Sequence, residues 1–162
     1  MRIRSITTDY DLREDRIRLA VAFADGSTHP MWLTRRLAER LVPALIKGLQ
    51  APHVNDDAQA AEVQAAQVYA QLEARVSRKP AAPVQVDDGA PPILVHEIKV
   101  RMTQNGTRLL TLICPEADPA QLVLKPGELR QWLDLLYLAF DKGQWRKDIW
   151  PAWIQHRKPS KT

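Results

Sequence analysis

The stretch that decides the fold is RIRLAVAFADGSTHPMWL, residues 16–33. In its first half, large apolar side chains occupy every second position: Ile17, Leu19, Val21 and Phe23. This period-two alternation predicts a strand with one buried face. Residues 2–10 alternate more weakly and predict a further strand before it.

A hairpin turn follows the strand directly. The dipeptide Asp25-Gly26 favours a tight two-residue loop, because both residues tolerate positive φ. Counting outward from such a loop pairs Phe23 with Thr28. Pro30 lacks an N–H and so cannot donate a backbone hydrogen bond to a neighbouring strand. The returning strand is therefore predicted to lie at a sheet edge.

A helix is predicted after the hairpin. Thr34 has the side chain of an N-cap. Leucines then recur every four residues, which predicts one buried helix face: Leu33, Leu37, Leu41, Leu45 and Leu49. Pro43 removes one helical hydrogen bond, so we expect a kink or a break there. Residues 1–50 therefore form a predicted β-β-β-α unit.

The middle of the chain, residues 51–92, differs in composition. An Ala-rich helix is predicted over 56–78, capped by Asn55 or Asp56, with acids early and bases late as the helix dipole favours. Its narrow apolar stripe is typical of a shallowly packed, partner-facing or coiled-coil-like helix: Ala61, Ala65, Val68, Leu72 and Val76. Residues 80–92 are Pro-rich and predict a semi-stiff linker.

Residues 93–144 repeat the pattern of the first unit. Alternation over 94–102 predicts a strand, and Asn105-Gly106 is a strong hairpin signal. Strands are predicted over 107–114 and 120–124, and a helix opens at Lys125 and ends at Gly143. A duplicated β-β-β-α unit is one interpretation, although the two Asx-Gly turns do not coincide. Generic amphipathic packing is the other.

We therefore predict an α+β fold with antiparallel β-hairpins and three or more helices. The segments are a β-β-β-α unit (1–50), an acidic helix and linker (51–92), a second unit (93–144) and a Trp-rich basic segment (145–162), within one domain overall. The net charge is distributed unevenly along the chain. Their net charges are +3 for 1–50, −3 for 51–92 and, with the tail included, +4 for 93–162.

Composition excludes several classes of protein. A single Cys in 162 residues excludes a disulfide framework and favours a reducing compartment. No signal peptide is recognisable, and the longest uncharged run is far too short to span a membrane. We expect a cytoplasmic protein, in the style of bacterial or phage chains, without a membrane partner.

The sequence contains no concentrated catalytic constellation. Its four histidines are scattered without metal-ligand spacing, and phosphate-binding glycine motifs are absent. Cys114 is interpreted as a small apolar strand residue. Asp9, Asp11, Glu14 and Asp15 form the densest acidic cluster, for which a salt-bridged turn is the preferred interpretation. We predict a non-enzyme without cofactor or metal.

The C-terminus carries the most distinctive pattern, with three Trp and six Lys or Arg in residues 142–162. It is either a strap folded on the core, a protein-docking segment or a nucleic-acid contact. The leading hypothesis is a protein-interaction or assembly subunit that binds a protein partner or itself. Its predicted contacts lie in the tail and the 56–78 helix: Trp145, Trp150, Trp153, Arg146, Arg157, Leu72 and Val76.

The alternative hypothesis is nucleic-acid binding, single-stranded or shape-directed. Cations supply attraction to phosphate that does not depend on sequence, and an Arg-bearing sheet face is one way to present them. The predicted contacts are a sheet face and the tail: Arg2, Arg4, Arg16, Arg18, Lys147 and Lys158.

Overall fold

The structure is a computed structural model that describes residues 1–49 and 57–155. Its elements are β1 (Ile3–Asp11), β2 (Arg16–Phe23), β3 (Thr28–Leu33), α1 (Arg35–Ile46), α2 (Asp57–Ser77), β4 (Ile93–Leu94), β5 (Glu97–Met102), β6 (Arg108–Ile113), β7 (Ala120–Leu124), α3 (Pro126–Lys142) and α4 (Ala152–Gln155). The predicted α+β class is confirmed, with antiparallel hairpins and four helices in the described residues.

The strands form two sheets that are joined at both edges, by a hydrogen bond at one and by the continuous chain from β4 to β5 at the other. One sheet has the order β1-β2-β3-β4 and the other β5-β6-β7, and only the β3–β4 pair is parallel. At one edge, the Gln121 N–H of β7 donates to the Met1 carbonyl at 2.8 Å. At the other, the Val95 N–H donates to Trp32 of β3 at 3.0 Å, just before the chain enters β5. The strands of the two sheets therefore follow one another around a closed ring.

Helices α1 and α3 each pack against a strand from the other half of the chain. Helix α3 packs against β1, where the Trp132 Nε1 donates to the Thr8 hydroxyl at 3.0 Å. Helix α1 packs against β5, and Gly48 beyond its end lies against the Met102 side chain. One hydrophobic cluster consequently contains buried residues of both halves.

The first hairpin differs from its predicted register by one residue. The Phe23 N–H donates to the Ser27 carbonyl at 2.8 Å, so the loop has three residues rather than two. Gly26 adopts φ +91° at the last loop position, which is the usual geometry of a three-residue hairpin. As a result Thr28 pairs with Ala22, and the predicted pairing with Phe23 is wrong. A one-residue shift decides which side chains of β3 face the core.

Helix α1 begins as predicted. The Thr34 hydroxyl accepts a hydrogen bond from the Leu37 N–H at 3.2 Å, which confirms the N-cap. The helix continues through Pro43 to Ile46, so the proline does not break it. The predicted cap of α2 at Asn55 or Asp56 lies outside the described residues.

The first half has the predicted order of three strands and a helix. The second half has that order in β5, β6, β7 and α3, preceded by the short β4, and a duplication is not confirmed. Asn105 and Gly106 also belong to a three-residue loop, closed by the Thr103 N–H donating to Thr107 at 2.9 Å. This loop joins the first two strands of its unit, whereas the Asp25-Gly26 loop joins the second and third. The duplication stays a prediction.

Candidate interaction surface

The three C-terminal tryptophans lie in the core. Trp145, Trp150 and Trp153 are 3%, 4% and 3% exposed. Trp145 and Trp150 contact the Phe140 ring edge-on, with centroids 5.1 and 5.2 Å away. Such aromatic pairs add stability beyond the area they bury. The described part of the tail is thus packed as a strap, and these rings are not presented to a partner.

Asp15 fixes the start of this strap. It adopts φ +52° in the turn after β1, and its carboxylate accepts from the Tyr10 hydroxyl at 2.5 Å and from the Trp145 Nε1 at 2.9 Å. The hydrogen bonds from Tyr10 and Trp145 lower the pKa of Asp15, and the hydrogen bond to Asp15 raises the pKa of Tyr10. One member of the predicted acidic cluster is therefore a structural acceptor.

The cations of the tail are paired with neighbouring carboxylates. Arg146 bonds to Asp148, and Lys147 bonds to Asp141. The hydrogen bond from Arg146 lowers the pKa of Asp148. All four side chains are substantially exposed, so these ion pairs contribute little stability, but they reduce the local positive charge. Two further predicted contacts lie outside the described residues: Arg157 and Lys158.

The four predicted sheet arginines do not form one basic face. Arg16 and Arg18 are half-buried and lie opposite Asp11 and Asp9 in the β1–β2 register. Acidic side chains therefore alternate with them. The other two lie apart: Arg2 forms a bridge to β7, and Arg4 lines a cavity beside the linker.

A different pair of cations occupies an open sheet face. Lys99 and Arg101 of β5 are exposed and line a concavity of about 570 Å³ together with Leu109 and Thr111 of β6. Sequence reasoning did not select these two residues. The signal was available, because they occupy the polar positions of the alternating strand that ends at Met102.

Helix α2 is attached to the body through polar contacts. Gln67 donates to the Leu49 carbonyl and accepts from Arg130 at 2.6 Å. Gln71 is buried and donates to the Arg130 carbonyl at 2.8 Å. One turn later, Arg75 forms an ion pair with α3. The inner face of this helix is therefore built largely from glutamine and arginine side chains.

The outer face of α2 carries an exposed apolar row. Tyr69 and Val76 are 70% and 85% exposed, Leu72 is half-buried and Ala65 is exposed. Their spacing of four, three and four residues is that of a coiled-coil seam. We call these four residues the α2 seam. The seam differs from the predicted stripe in two ways: Val68 packs against the core while Tyr69 lies on the outside, and Ala61 is not part of the seam.

Charge is distributed unevenly along α2. Asp57 and Glu62 lie in the first two turns, and Arg75 lies in the last turn, followed by Arg78 and Lys79. This order favours the helix dipole at both ends. On the exposed surface this order is incomplete, because Glu73 is exposed near the end of the helix and Arg78 and Lys79 lie beyond it.

Across residues 1–49 and 57–155, no group of three or more His, Cys, Asp or Glu is placed to hold a metal ion. Cys114 is 2% exposed, and its burial raises the pKa of the thiol. The reactive thiolate is correspondingly scarce at neutral pH.

Comparisons with known proteins leave the function to be argued from the surface. No protein-family model, no curated protein and no solved structure matches this chain. Within the described residues, no helix is both long enough and apolar enough to cross a membrane. Among the exposed large apolar side chains of the described residues, Tyr69 and Val76 are the two that lie on the same helix.

Proposed function

We propose that this protein is a non-catalytic interaction or assembly subunit that contacts its partner through the α2 seam. The observation that carries the proposal is the exposure of Tyr69 and Val76 on a helix already attached by its other face. Large apolar side chains placed in a row on an exposed surface are typical of interaction sites. Tyr is also among the residues most enriched at binding hot spots.

The C-terminal segment supports this surface from beneath. Helix α4 packs against α2, and the Arg130 guanidinium lies over the Trp153 ring at 5.3 Å. The same guanidinium bonds to Gln67 of α2. In the proposal, the tail therefore positions the interaction helix and does not itself bind the partner. The setting we propose is the cytoplasm, and a bacterial or phage origin stays a prediction.

The proposal is tested by site-specific photo-crosslinking in the cells that produce the protein. A benzophenone amino acid at Tyr69 should give a discrete covalent adduct. The matched control is the same probe at Gln59, an exposed α2 position on another side of the helix. Equal labelling at both positions, or no adduct at Tyr69, contradicts the proposal.

Nucleic-acid binding is a second candidate, favoured by one observation. Lys99 and Arg101 are exposed beside a concave sheet face and form no ion pair within the described residues. Phosphate contacts make affinity fall steeply with salt, because the slope of log affinity against log salt concentration is roughly proportional to the number of contacts. Lys99→Glu with Arg101→Glu should abolish a gel shift seen at low salt, whereas Arg16→Glu should not.

A further inference from the structure

We infer that the cavity between β1, β7, α3 and the linker binds a small molecule with an apolar body and an anionic group. The cavity has a volume of about 350 Å³ and is lined by residues of all four segments, including 78–79 and 81–84. We call it the linker cavity. Small-molecule sites are typically clefts of about 300–1,000 Å³ with mostly apolar walls and a few polar groups. The inference goes beyond the proposed function, because no residue of the α2 seam lines this cavity.

The linker cavity lies where β1 and β7 separate. The two strands meet at the bridge between Arg2 and Gln121, and the described residues contain no further pairing between them. Past this bridge, residues 3–8 of β1 and residues 122–124 of β7 both line the cavity. The ring of strands is therefore open at this point, and the space is available to a ligand.

Helix α3 supplies an apolar wall. Trp132 and Leu135 lie one turn apart on this helix and line the cavity together with Ile6 and Leu124. The indole of Trp132 is held in place, because its Nε1 donates to the Thr8 hydroxyl at 3.0 Å. An apolar ligand body can therefore bury its surface against side chains whose positions are already fixed.

The linker forms a further wall. The Val84 N–H donates to the Thr7 hydroxyl at 2.8 Å, which ties the linker to β1. Ala81, Ala82 and Pro83 precede this contact and line the cavity. Proline restricts the backbone of such a segment, so the wall is formed before a ligand arrives.

Cationic side chains give the linker cavity its charge preference. Arg4 of β1 lines it together with Arg78 and Lys79, which follow the end of α2. All three are exposed and form no ion pair within the described residues. Glu128 also lines the cavity, and its carboxylate accepts from the Lys125 N–H at 3.2 Å. Three positive charges against one negative charge favour an anionic ligand over a neutral or cationic one.

Isothermal titration calorimetry of the purified full chain tests the ligand class. The probes are decanoate, decanol and decylammonium, which share one alkyl chain and differ in the charge of the head group. Decanoate should bind about three- to tenfold more tightly than decanol, since its carboxylate meets exposed cations. Decylammonium should bind most weakly. Failure of decanoate to bind, or equal affinities for decanoate and decanol, overturns the inference.

Nuclear magnetic resonance locates the bound decanoate. The indole N–H resonance of Trp132 should shift on titration, because this ring lines the cavity. The resonances of Trp32 and Trp150 should stay in place, because neither residue lines it. A shift at Trp150 without one at Trp132 places the ligand elsewhere and overturns the site.

Charge reversal tests the role of the cations. Arg78→Glu with Lys79→Glu should lower the affinity for decanoate about tenfold, as two attractive charges become repulsive. The affinity for decanol should not change, and α2 should keep its helix content, because both residues lie beyond Ser77.

The matched control is Arg40→Glu with Lys47→Glu. It makes the same change of net charge at exposed positions that do not line the linker cavity. Its affinity for decanoate should equal that of the natural chain within about twofold, because distant exposed charges are screened by salt. Equal weakening in both variants would show that net charge alone attracts the carboxylate, which overturns the assignment of Arg78 and Lys79.

Discussion

Arg75 of α2 and Asp134 of α3 form a bidentate ion pair, in which the Arg75 Nη2 and Nε lie 2.7 Å and 3.1 Å from the Asp134 carboxylate. The side chains are only 22% and 11% exposed. Planar pairs of this kind hold their geometry better than single contacts do. This pair therefore links the candidate interaction helix to the part of the body that contains the core.

Arg75→Ala should lower the free energy of unfolding by about 1–3 kcal/mol, because it leaves a mostly buried carboxylate without this partner. Arg75→Lys should lower the free energy of unfolding by less, since it keeps the charge and loses only the second hydrogen bond to the carboxylate. Urea denaturation measures both. Arg146→Ala is the control, because its pair with Asp148 is exposed and its loss should cost about 0.5 kcal/mol or less.

Two tryptophans of the strap should respond differently to replacement by phenylalanine. Trp145 donates to Asp15, whereas the buried Trp150 Nε1 has no hydrogen-bond partner in the described part of the chain. Trp145→Phe should therefore cost about 1 kcal/mol more than Trp150→Phe, since only the first loses a hydrogen bond. Thermal unfolding of the two variants checks this. Equal losses would show that ring volume alone matters.

Gly48 is required by the buried Arg108 guanidinium. A Cβ at position 48 would lie 2.1 Å from Arg108 Nη2 and 2.9 Å from Met102 Sδ. Because Arg108 is 1% exposed, it has little room to move, and Gly48→Ala should destabilise by about 1–3 kcal/mol.

The same contact predicts a non-additive double variant. Burial lowers the pKa of Arg108, and its Nη2 has no hydrogen-bond partner among the described residues. Arg108→Met should be nearly neutral, within about 1 kcal/mol, as for other buried charges replaced by apolar groups. It should also remove most of the Gly48→Ala penalty, which a double-mutant cycle measures. Strict additivity of the two effects would contradict the steric explanation.

Stability at acidic pH should depend on Asp15. Its hydrogen bonds from Tyr10 and Trp145 lower its pKa from the ordinary 3.8, so the folded state prefers the ionised form. The resulting stability is present above the unfolded-state pKa and is lost as pH falls through the folded-state pKa. Asp15→Asn keeps an oxygen acceptor and tolerates the positive φ, but it cannot ionise. Its melting temperature should therefore lie below that of the natural chain at neutral pH, and the two should converge as pH falls below the lowered pKa of Asp15.

The hairpins, the Thr34 cap and the α1 and α3 stripes could be predicted because each depends on local residue spacing. The register of the first hairpin could not. Asp25-Gly26 fits loops of two or three residues, and the choice depends on whether Phe23 pairs with Ser27 or with Thr28. That choice is made by packing across the whole sheet.

The face of α2 that docks on the body was equally hidden in the sequence. An Ala-rich helix has little contrast between its sides, and its narrow apolar stripe is interpreted as partner-facing, which leaves open which residues face the body. The structure turns Gln67 and Gln71 inward, where their side chains donate to the carbonyls of Leu49 and Arg130. The burial of the tryptophans could not be predicted either, because a Trp-rich basic tail has the same sequence pattern whether it packs on its own core or on a partner.

The packing of α3 against a strand from the other half of the chain has a consequence for synthesis on the ribosome. The apolar side of β1 is covered by α3, which is translated more than a hundred residues later. The nascent first half therefore keeps that surface uncovered until α3 has been made, and covering it joins residues more than a hundred positions apart. Such delayed, non-local closure is slow and leaves the unfinished chain prone to aggregation. Chaperone demand should accordingly be highest before α3 leaves the exit tunnel.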